Sequence, residues 1–120
     1  MGPDGLPRVF LTVGEREWPA QIDTGFNGDL ELPQAAARAV EARYDGAVVS
    51  VLADGRRVFE DSYRVDFPFD EEVVAATATF APVGEILVGT RLLRRHRLEI
   101  DFDARTVLIR RALGGGAGTA

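Results

Sequence analysis

The residues best suited to chemistry are Asp23, Thr24 and Gly25, which follow directly on an extended apolar run from Arg8 to Ile22. A strand that stops on Asp-Thr-Gly places a carboxylate at a tight turn. Gly25 permits a backbone shape that a side chain would block. The Thr24 hydroxyl can hydrogen-bond locally or reach a partner chain. Asp and Gly are also ordinary turn residues, so the tripeptide alone is compatible with a plain surface turn.

The composition limits which chemistry the 120-residue chain can perform. All 14 basic residues are arginines, so Schiff-base chemistry and a P-loop lysine are excluded. There is no cysteine, which excludes disulfides, thiol nucleophiles and thiolate metal sites. His96 is the only histidine, so one chain cannot form a zinc site with several histidines. Carboxylates, hydroxyls, arginines and backbone groups are what is left, and we expect no metal and no cofactor.

Charge and hydropathy indicate the compartment and the partners. The formal net charge of −5 argues against a nucleic-acid partner. The amino terminus has neither the basic start nor the apolar centre of a secretory signal. The longest apolar-rich run, 73–84, is too short to span a membrane and contains Pro82. These features predict a soluble, cytoplasmic protein without a membrane partner.

Alternating apolar residues and Gly/Asp turns predict a mainly β protein with one domain at 8–111. Residues 1–7 are predicted to be a flexible amino terminus, and 112–120 a disordered Gly/Ala tail. The predicted strands are 9–13, 18–22, 29–32, 48–53, 56–63, 65–69, 73–83, 86–89, 98–102 and 106–109.

Two short helices and three polar turns complete the prediction. The helices are expected at 34–43, after Pro33, and at 90–97, where His96 would be a surface residue. Asp54-Gly55 predicts a two-residue hairpin turn. Asp70-Glu71-Glu72 is predicted to be a solvated acidic turn, and Asp101 and Asp103 to belong to a closing hairpin.

The ordered motifs resemble those of the retropepsin-like aspartic proteases (clan AA), the single-domain relatives of retroviral proteases. Asp23-Thr-Gly-Phe26 looks like the motif of their microbial branch. Ile86-Leu-Val-Gly89 resembles the segment that passes beside the catalytic loop in that family, and Leu52-Ala-Asp-Gly55 resembles its flap. The similarity covers roughly 9–111, and the order and spacing of the motifs make it more specific than any one of them.

The resemblance implies a closed β-barrel with one or two short helices that acts as a homodimer. It also implies that Asp23 is the catalytic acid, that Thr24 braces the loop across the dimer, and that Gly25 lets a peptide approach the backbone. The residues it implies for substrate binding are Phe26, Ala53, Asp54, Gly55, Ile86, Val88 and Gly89. Phe26 replaces a smaller residue of well-studied members, and the Gly-rich carboxyl end differs from the dimer-locking strand of the viral enzymes.

The function implied by this resemblance is aspartic peptidase activity on a peptide or protein substrate. Hydrolysis needs an activated water and an acid for the leaving amine, which two carboxylates sharing one proton can supply. One chain has one Asp-Thr-Gly, so the mechanism requires a symmetric dimer with an Asp23 from each protomer. The alternative is a non-catalytic dimer of the same fold that binds a peptide or protein partner. A third reading is a generic small β-barrel with a chance tripeptide.

Overall fold

A computed structural model describes residues 1–112, and these residues form nine strands and one short helix. The mainly β prediction is confirmed. The elements are β1 (Arg8–Val13), β2 (Arg16–Ile22), β3 (Leu30–Pro33), α1 (Gln34–Ala37), β4 (Ala42–Val51), β5 (Arg57–Phe69), β6 (Glu72–Ala81), β7 (Ile86–Val88), β8 (His96–Asp101) and β9 (Thr106–Arg111).

Seven strands form a mixed sheet in the order β1-β2-β7-β3-β6-β5-β4, and β8 and β9 form a separate antiparallel pair. The short strand β7 lies between β2, to which it is parallel, and β3, to which it is antiparallel. A segment from late in the chain is thereby inserted next to the end of β2. This topology places residues 86–88 beside the strand that carries Asp23.

The predicted closed barrel is not found among the described strands. The seven-stranded sheet has β1 and β4 at its edges, and these two strands do not pair with each other. A barrel closes only when its edge strands share hydrogen bonds. Here β1 contacts β5 but does not pair with it, which shows that the sheet is curled. The other edge strand, β4, pairs only with β5, so the sheet remains open.

The core follows from period-two alternation in the central strands. In β3 the side chains of Leu30 and Leu32 are buried on either side of the half-buried Glu31. In β7 the buried side chains are Ile86 and Val88, and Leu87 between them is half-buried. The inward faces of these strands form one apolar core, and their outward faces carry the polar and half-buried positions.

Both helix predictions need correction. The helix expected at 34–43 is only the four-residue α1, which has no side-chain cap at Pro33. The helix expected at 90–97 is absent, because residues 90–95 form turns and β8 begins at His96. Its backbone bonds are of the i→i+3 kind, such as the His96 N–H donating to the Leu93 carbonyl at 2.8 Å. A segment this short cannot offset the cost of helix nucleation, and the pairing of β8 with β9 takes up its end.

The hairpin turns also differ from the prediction in length. Val51 pairs with Arg57, so the Asp54-Gly55 connection is a five-residue loop and not a two-residue turn. The turn between β5 and β6 contains only Asp70 and Glu71, both with positive φ. Two positive φ values suit the twist of a two-residue hairpin. Of the predicted tail at 112–120, all but Ala112 lies outside the described residues.

Candidate active site

Asp23 directly follows the last residue of β2 and is anchored to the inserted strand β7. Its backbone N–H donates to the Val88 carbonyl at 3.0 Å, which extends the parallel pairing of Ile22 with Val88 by one residue. The Asp23 residue is half-buried, while Thr24 and Gly25 are exposed. The Asp23 residue therefore lies at the end of the sheet, partly accessible to solvent.

The turn that carries Asp23 is closed by two hydrogen bonds. The Gly25 N–H donates to Asp23 Oδ1 at 3.0 Å, and the Phe26 N–H donates to the Asp23 carbonyl at 3.1 Å. In the described part of the chain no protein group donates to the second oxygen, Oδ2. A carboxylate oriented through one oxygen and open at the other can bind and deprotonate a water molecule.

The segment after β7 donates hydrogen bonds to this turn and to the residues that follow it. Thr90 donates both its N–H, at 2.9 Å, and its hydroxyl, at 3.3 Å, to the Phe26 carbonyl. The Arg91 N–H donates to the Gly28 carbonyl at 3.2 Å. Gly89 is so close to Gly28 that a Cβ built on Gly89 would lie 2.1 Å from the Gly28 carbonyl oxygen. Only glycine fits at this crossing of two backbones.

Asp29 is a structural residue that the sequence analysis did not single out. Its carbonyl accepts the Gly89 N–H at 3.0 Å, and its Oδ2 accepts the Thr77 N–H of β6 at 2.9 Å. Asp29 therefore joins the start of β3 to β6 through its side chain and to the residue after β7 through its backbone carbonyl. The sequence did contain a signal for this role, because Asp29 is an acidic residue directly before the largely buried strand β3.

A second residue that the sequence analysis missed is Glu31. It is directly paired with Leu87 of β7 and Thr79 of β6, on the sheet face opposite the core. Burial raises the pKa of the Glu31 carboxyl, and the negative charges of Glu60 and Asp23 raise this pKa further. The surroundings of Asp23 are thus acidic, with no ion pair to Glu31 among the described residues.

The predicted site residues fall into three groups in the structure. Asp23, Thr24, Gly25 and Phe26 form the turn, and Gly89 lies against it, since a Cβ built on Gly89 would be 2.8 Å from Phe26 Cδ2. Ile86 and Val88, predicted to bind substrate, have side chains only 1% and 0% exposed, so their strand can offer a ligand Leu87 instead. Ala53, Asp54 and Gly55 lie at the exposed tip of the β4–β5 hairpin.

The tip of this hairpin is held by its own hydrogen bonds. The Gly55 N–H donates to the Leu52 carbonyl at 2.9 Å, and Asp54 pairs with the Arg56 guanidinium at 2.6 Å. Large apolar side chains are exposed along both strands, among them Val49, Val51 and Phe59. The hairpin tip is thus closed by its own bonds, and the strands behind it have an apolar surface.

The described residues contain no cluster of three or more acidic, histidine or cysteine side chains that could bind a metal ion. Within residues 1–112, no helix has the length and apolar character needed to cross a bilayer.

Solved structures share this strand arrangement. The protease of simian foamy virus (mac) matches with a TM-score of 0.56 and 17% identity, over 72% of this chain and 91% of its own. EIAV protease, solved with the inhibitor HBY-793, matches with a TM-score of 0.56 and 15% identity, over 78% of this chain and 90% of its own. The chain has a retropepsin-like fold. No protein-family model and no curated protein matches it.

The same retropepsin-like fold is found within a larger protein. A foamy viral protease-reverse transcriptase, solved in complex with an RNA/DNA hybrid, matches with a TM-score of 0.60 and 18% identity. The match covers 81% of this chain and 13% of that one. At sequence identities this low, the similarity to these structures concerns the fold alone.

Proposed function

We propose that this protein is a homodimeric aspartic peptidase. The observation that carries the proposal is the Asp23 carboxylate, which lies at the open end of a retropepsin-like sheet and is oriented through Oδ1 by the Gly25 N–H at 3.0 Å. The inserted strand β7 fixes the position of this turn through Val88 and Gly89. A plain surface turn does not need so many hydrogen bonds around one half-buried acid.

The proposed reaction uses the Asp23 carboxylates of two protomers facing each other across a two-fold axis. Two carboxylates a few ångströms apart cannot both ionise easily, so they hold one proton between them. The ionised one takes a proton from a water molecule, which attacks the peptide carbonyl. The protonated one supplies the acid that the leaving amine needs. Thr24, exposed beside Asp23, braces the paired loops through its hydroxyl.

The substrate is a polypeptide in extended conformation. Gly25 allows it to approach the backbone of the turn, and Phe26 and Gly89 support the turn beneath it. The flap tip, with Ala53, Asp54 and Gly55, closes over the bound chain, as lids do in many enzymes. Leu87 and Glu31 are the outward-facing residues next to Asp23, and Glu31 favours a basic substrate side chain.

The test is cleavage of an unstructured protein by wild type and by Asp23→Asn, from about pH 3 to about pH 8. The substitution keeps the size of the side chain but removes the group that transfers a proton, so we expect cleavage to fall by about 10³-fold or more. Wild-type cleavage should peak on the acid side of neutrality, where each pair of carboxylates holds one proton.

Asp103→Asn is the matched control, since Asp103 is an exposed carboxylate in the β8–β9 turn. It should cleave like wild type. Equal cleavage by the Asp23→Asn variant would remove Asp23 from the mechanism. A confirmed wild-type dimer that cleaves no substrate would favour the non-catalytic peptide-binding dimer.

A further inference from the structure

A cleft with a volume of about 1080 Å³ is formed by residues outside the Asp23 turn. It is bounded by β5, β6, the turns after β7, and the end of β9. None of Asp23, Thr24 and Gly25 lines it. Five of the 14 arginines of the chain do, together with the only histidine, and we name it the arginine cleft: Arg64, Arg91, Arg94, Arg95, Arg111 and His96.

The arginines of this cleft are only partly neutralised. Arg111 pairs with Glu72 at 2.7 Å and with Asp70 at 3.4 Å, and its hydrogen bond to Glu72 raises the pKa of Arg111. Arg91 is 4.0 Å from Asp29. Within residues 1–112, Arg64, Arg94 and Arg95 have no carboxylate within ion-pair distance. A protein with a formal net charge of −5 thus concentrates unpaired positive charge in one cleft.

His96, which also lines the cleft, carries one buried nitrogen without a hydrogen-bond partner in the described part of the chain. The sequence predicted a surface histidine, which is wrong, because its side chain is only 9% exposed and its ring packs edge-on against Phe69 at 5.1 Å. Nε2 lies 3.2 Å from Asp70 Oδ2. Nδ1 is buried and finds no hydrogen-bond partner in the described part of the chain. A buried polar atom without a partner is costly unless a bound group satisfies it.

We propose that the arginine cleft binds a small organic molecule that carries phosphate groups next to an apolar part. Guanidinium groups recognise phosphate oxygens in a bidentate manner, and three unpaired ones in a single cleft match a multiply charged group better than a single carboxylate. Val74 and Leu92, both half-buried, line the same cleft and offer a surface for the apolar part, and Phe69 lies behind them, almost fully buried. The volume is at the upper end of small-molecule sites and exceeds the needs of a free phosphate ion.

The test is calorimetric titration of the full chain with ATP in a buffer that contains EDTA and no divalent metal. ATP is the probe because it joins a triphosphate to an aromatic base. We expect Arg64→Gln, Arg94→Gln and Arg95→Gln each to weaken ATP binding by about fivefold or more, since each removes a charge-assisted hydrogen bond. Higher salt should weaken the binding as well.

Arg97→Gln is the matched control. Arg97 is exposed on β8, directly after His96, and does not line the cleft. The variant makes the same charge change and should stay within about twofold of wild type, because Arg97 is exposed and does not line the cleft, so solvent screens its charge. Thermal unfolding of every variant shows whether its fold is intact. The proposal would be overturned if wild type does not bind ATP. It would also be overturned if Arg97→Gln weakens ATP binding as much as the three cleft variants do.

Two further probes separate the chemical classes. Tripolyphosphate has the phosphates without an apolar part and should bind more weakly than ATP; equal binding would overturn the apolar half of the proposal. Citrate offers carboxylates instead of phosphates, and citrate binding as tight as that of ATP would overturn the assignment to phosphate. Neither measurement depends on cleavage, so this proposal stands or fails independently of the peptidase.

Discussion

At the scale of single residues, Gly89 shows how the candidate site depends on one missing side chain. Its φ is not in the left-handed region, so the constraint is space and not backbone conformation. A Cβ would meet the Gly28 carbonyl oxygen at 2.1 Å and the Gly28 carbonyl carbon at 2.8 Å. We expect Gly89→Ala to lower the free energy of unfolding by about 2–4 kcal/mol, because two backbones must separate. Denaturant unfolding measures this directly.

Gly55→Ala is the informative comparison. Gly55 has a φ of +87° but open space around its Cβ direction, so this variant carries strain without a close contact. Its cost should be about 1 kcal/mol. If Gly89→Ala costs no more than Gly55→Ala, the close approach of the two backbones is not what requires glycine at position 89.

Glu31 predicts a pH-dependent stability. Its pKa is raised in the folded protein by burial and by the charges of Glu60 and Asp23, so folding disfavours its ionised form. That cost is absent below the ordinary pKa of a carboxyl and appears as the pH rises through the raised pKa. Glu31→Gln should therefore be more stable than wild type near neutral pH, with Tm higher by about 1–3 °C, and equal to it in acid.

Thermal unfolding across a pH series measures this difference. Glu41→Gln serves as the control, since Glu41 is exposed in the segment before β4 and should change little at any pH. A Glu31→Gln variant less stable than wild type at neutral pH would contradict the acidic surroundings inferred for Asp23.

At the scale of elements, Arg8 connects the start of β1 to the residue before β7. Its guanidinium donates to Glu85 Oε1 at 2.6 Å and Oε2 at 2.8 Å, and it also pairs with Asp4 at 2.6 Å. These strands are not neighbours in the sheet, because β2 lies between them. The ion pair therefore helps to fix the inserted strand that anchors the Asp23 turn.

Glu85→Gln should lower the free energy of unfolding by about 0.5–1 kcal/mol near neutral pH, since the pair is partly exposed to solvent. The hydrogen bond from Arg8 lowers the pKa of Glu85. Its stabilisation is present above the ordinary carboxyl pKa and is lost as the pH falls through the lowered one. The variant and wild type should therefore become equally stable in acid.

Glu99→Gln is the control. It loses a more exposed pair with Arg110 at 3.7 Å, so its free energy of unfolding should fall by less. An equal cost in both would argue against a special role of the Arg8 pair.

At the scale of the whole molecule, the proposed peptidase needs two chains for one site. Mixing wild type with a ninefold excess of Asp23→Asn would leave most wild-type chains in dimers with only one carboxylate. Activity per wild-type chain should then fall about tenfold once the dimers have exchanged. The same excess of Asp103→Asn, which is itself expected to cleave, should leave the activity counted over all chains equal to that of wild type alone. Full activity in the presence of confirmed mixed dimers would show that one Asp23 suffices, and would contradict the proposed mechanism.

Much of the strand pattern was predictable, because alternation and turn residues are local signals. The runs that contain Val9, Trp18 and Ile86 are strands in the structure, and Asp23 lies at the end of one of them. Residues 90–97 were predicted as helix because leucines and arginines are good helix formers. In the structure residues 90–95 form turns, and only His96 and Arg97 of this segment belong to a strand. The sequence predicted the closing hairpin from residue 98 onward, and the pairing of His96 with Arg111 is what extends it two residues further back.

The sequence by itself determined the chemistry that this protein can offer: carboxylates, hydroxyls and arginines, with a single Asp-Thr-Gly at a strand end. The residue types and their order are enough to establish which chemical groups are available, because both are given directly by the sequence. Only the tertiary structure decided that β7 lies between β2 and β3, that Glu31 stands near Asp23, and that five arginines share one cleft. These features arise from contacts between distant segments, which form because burying the alternating apolar faces in one core brings the segments together.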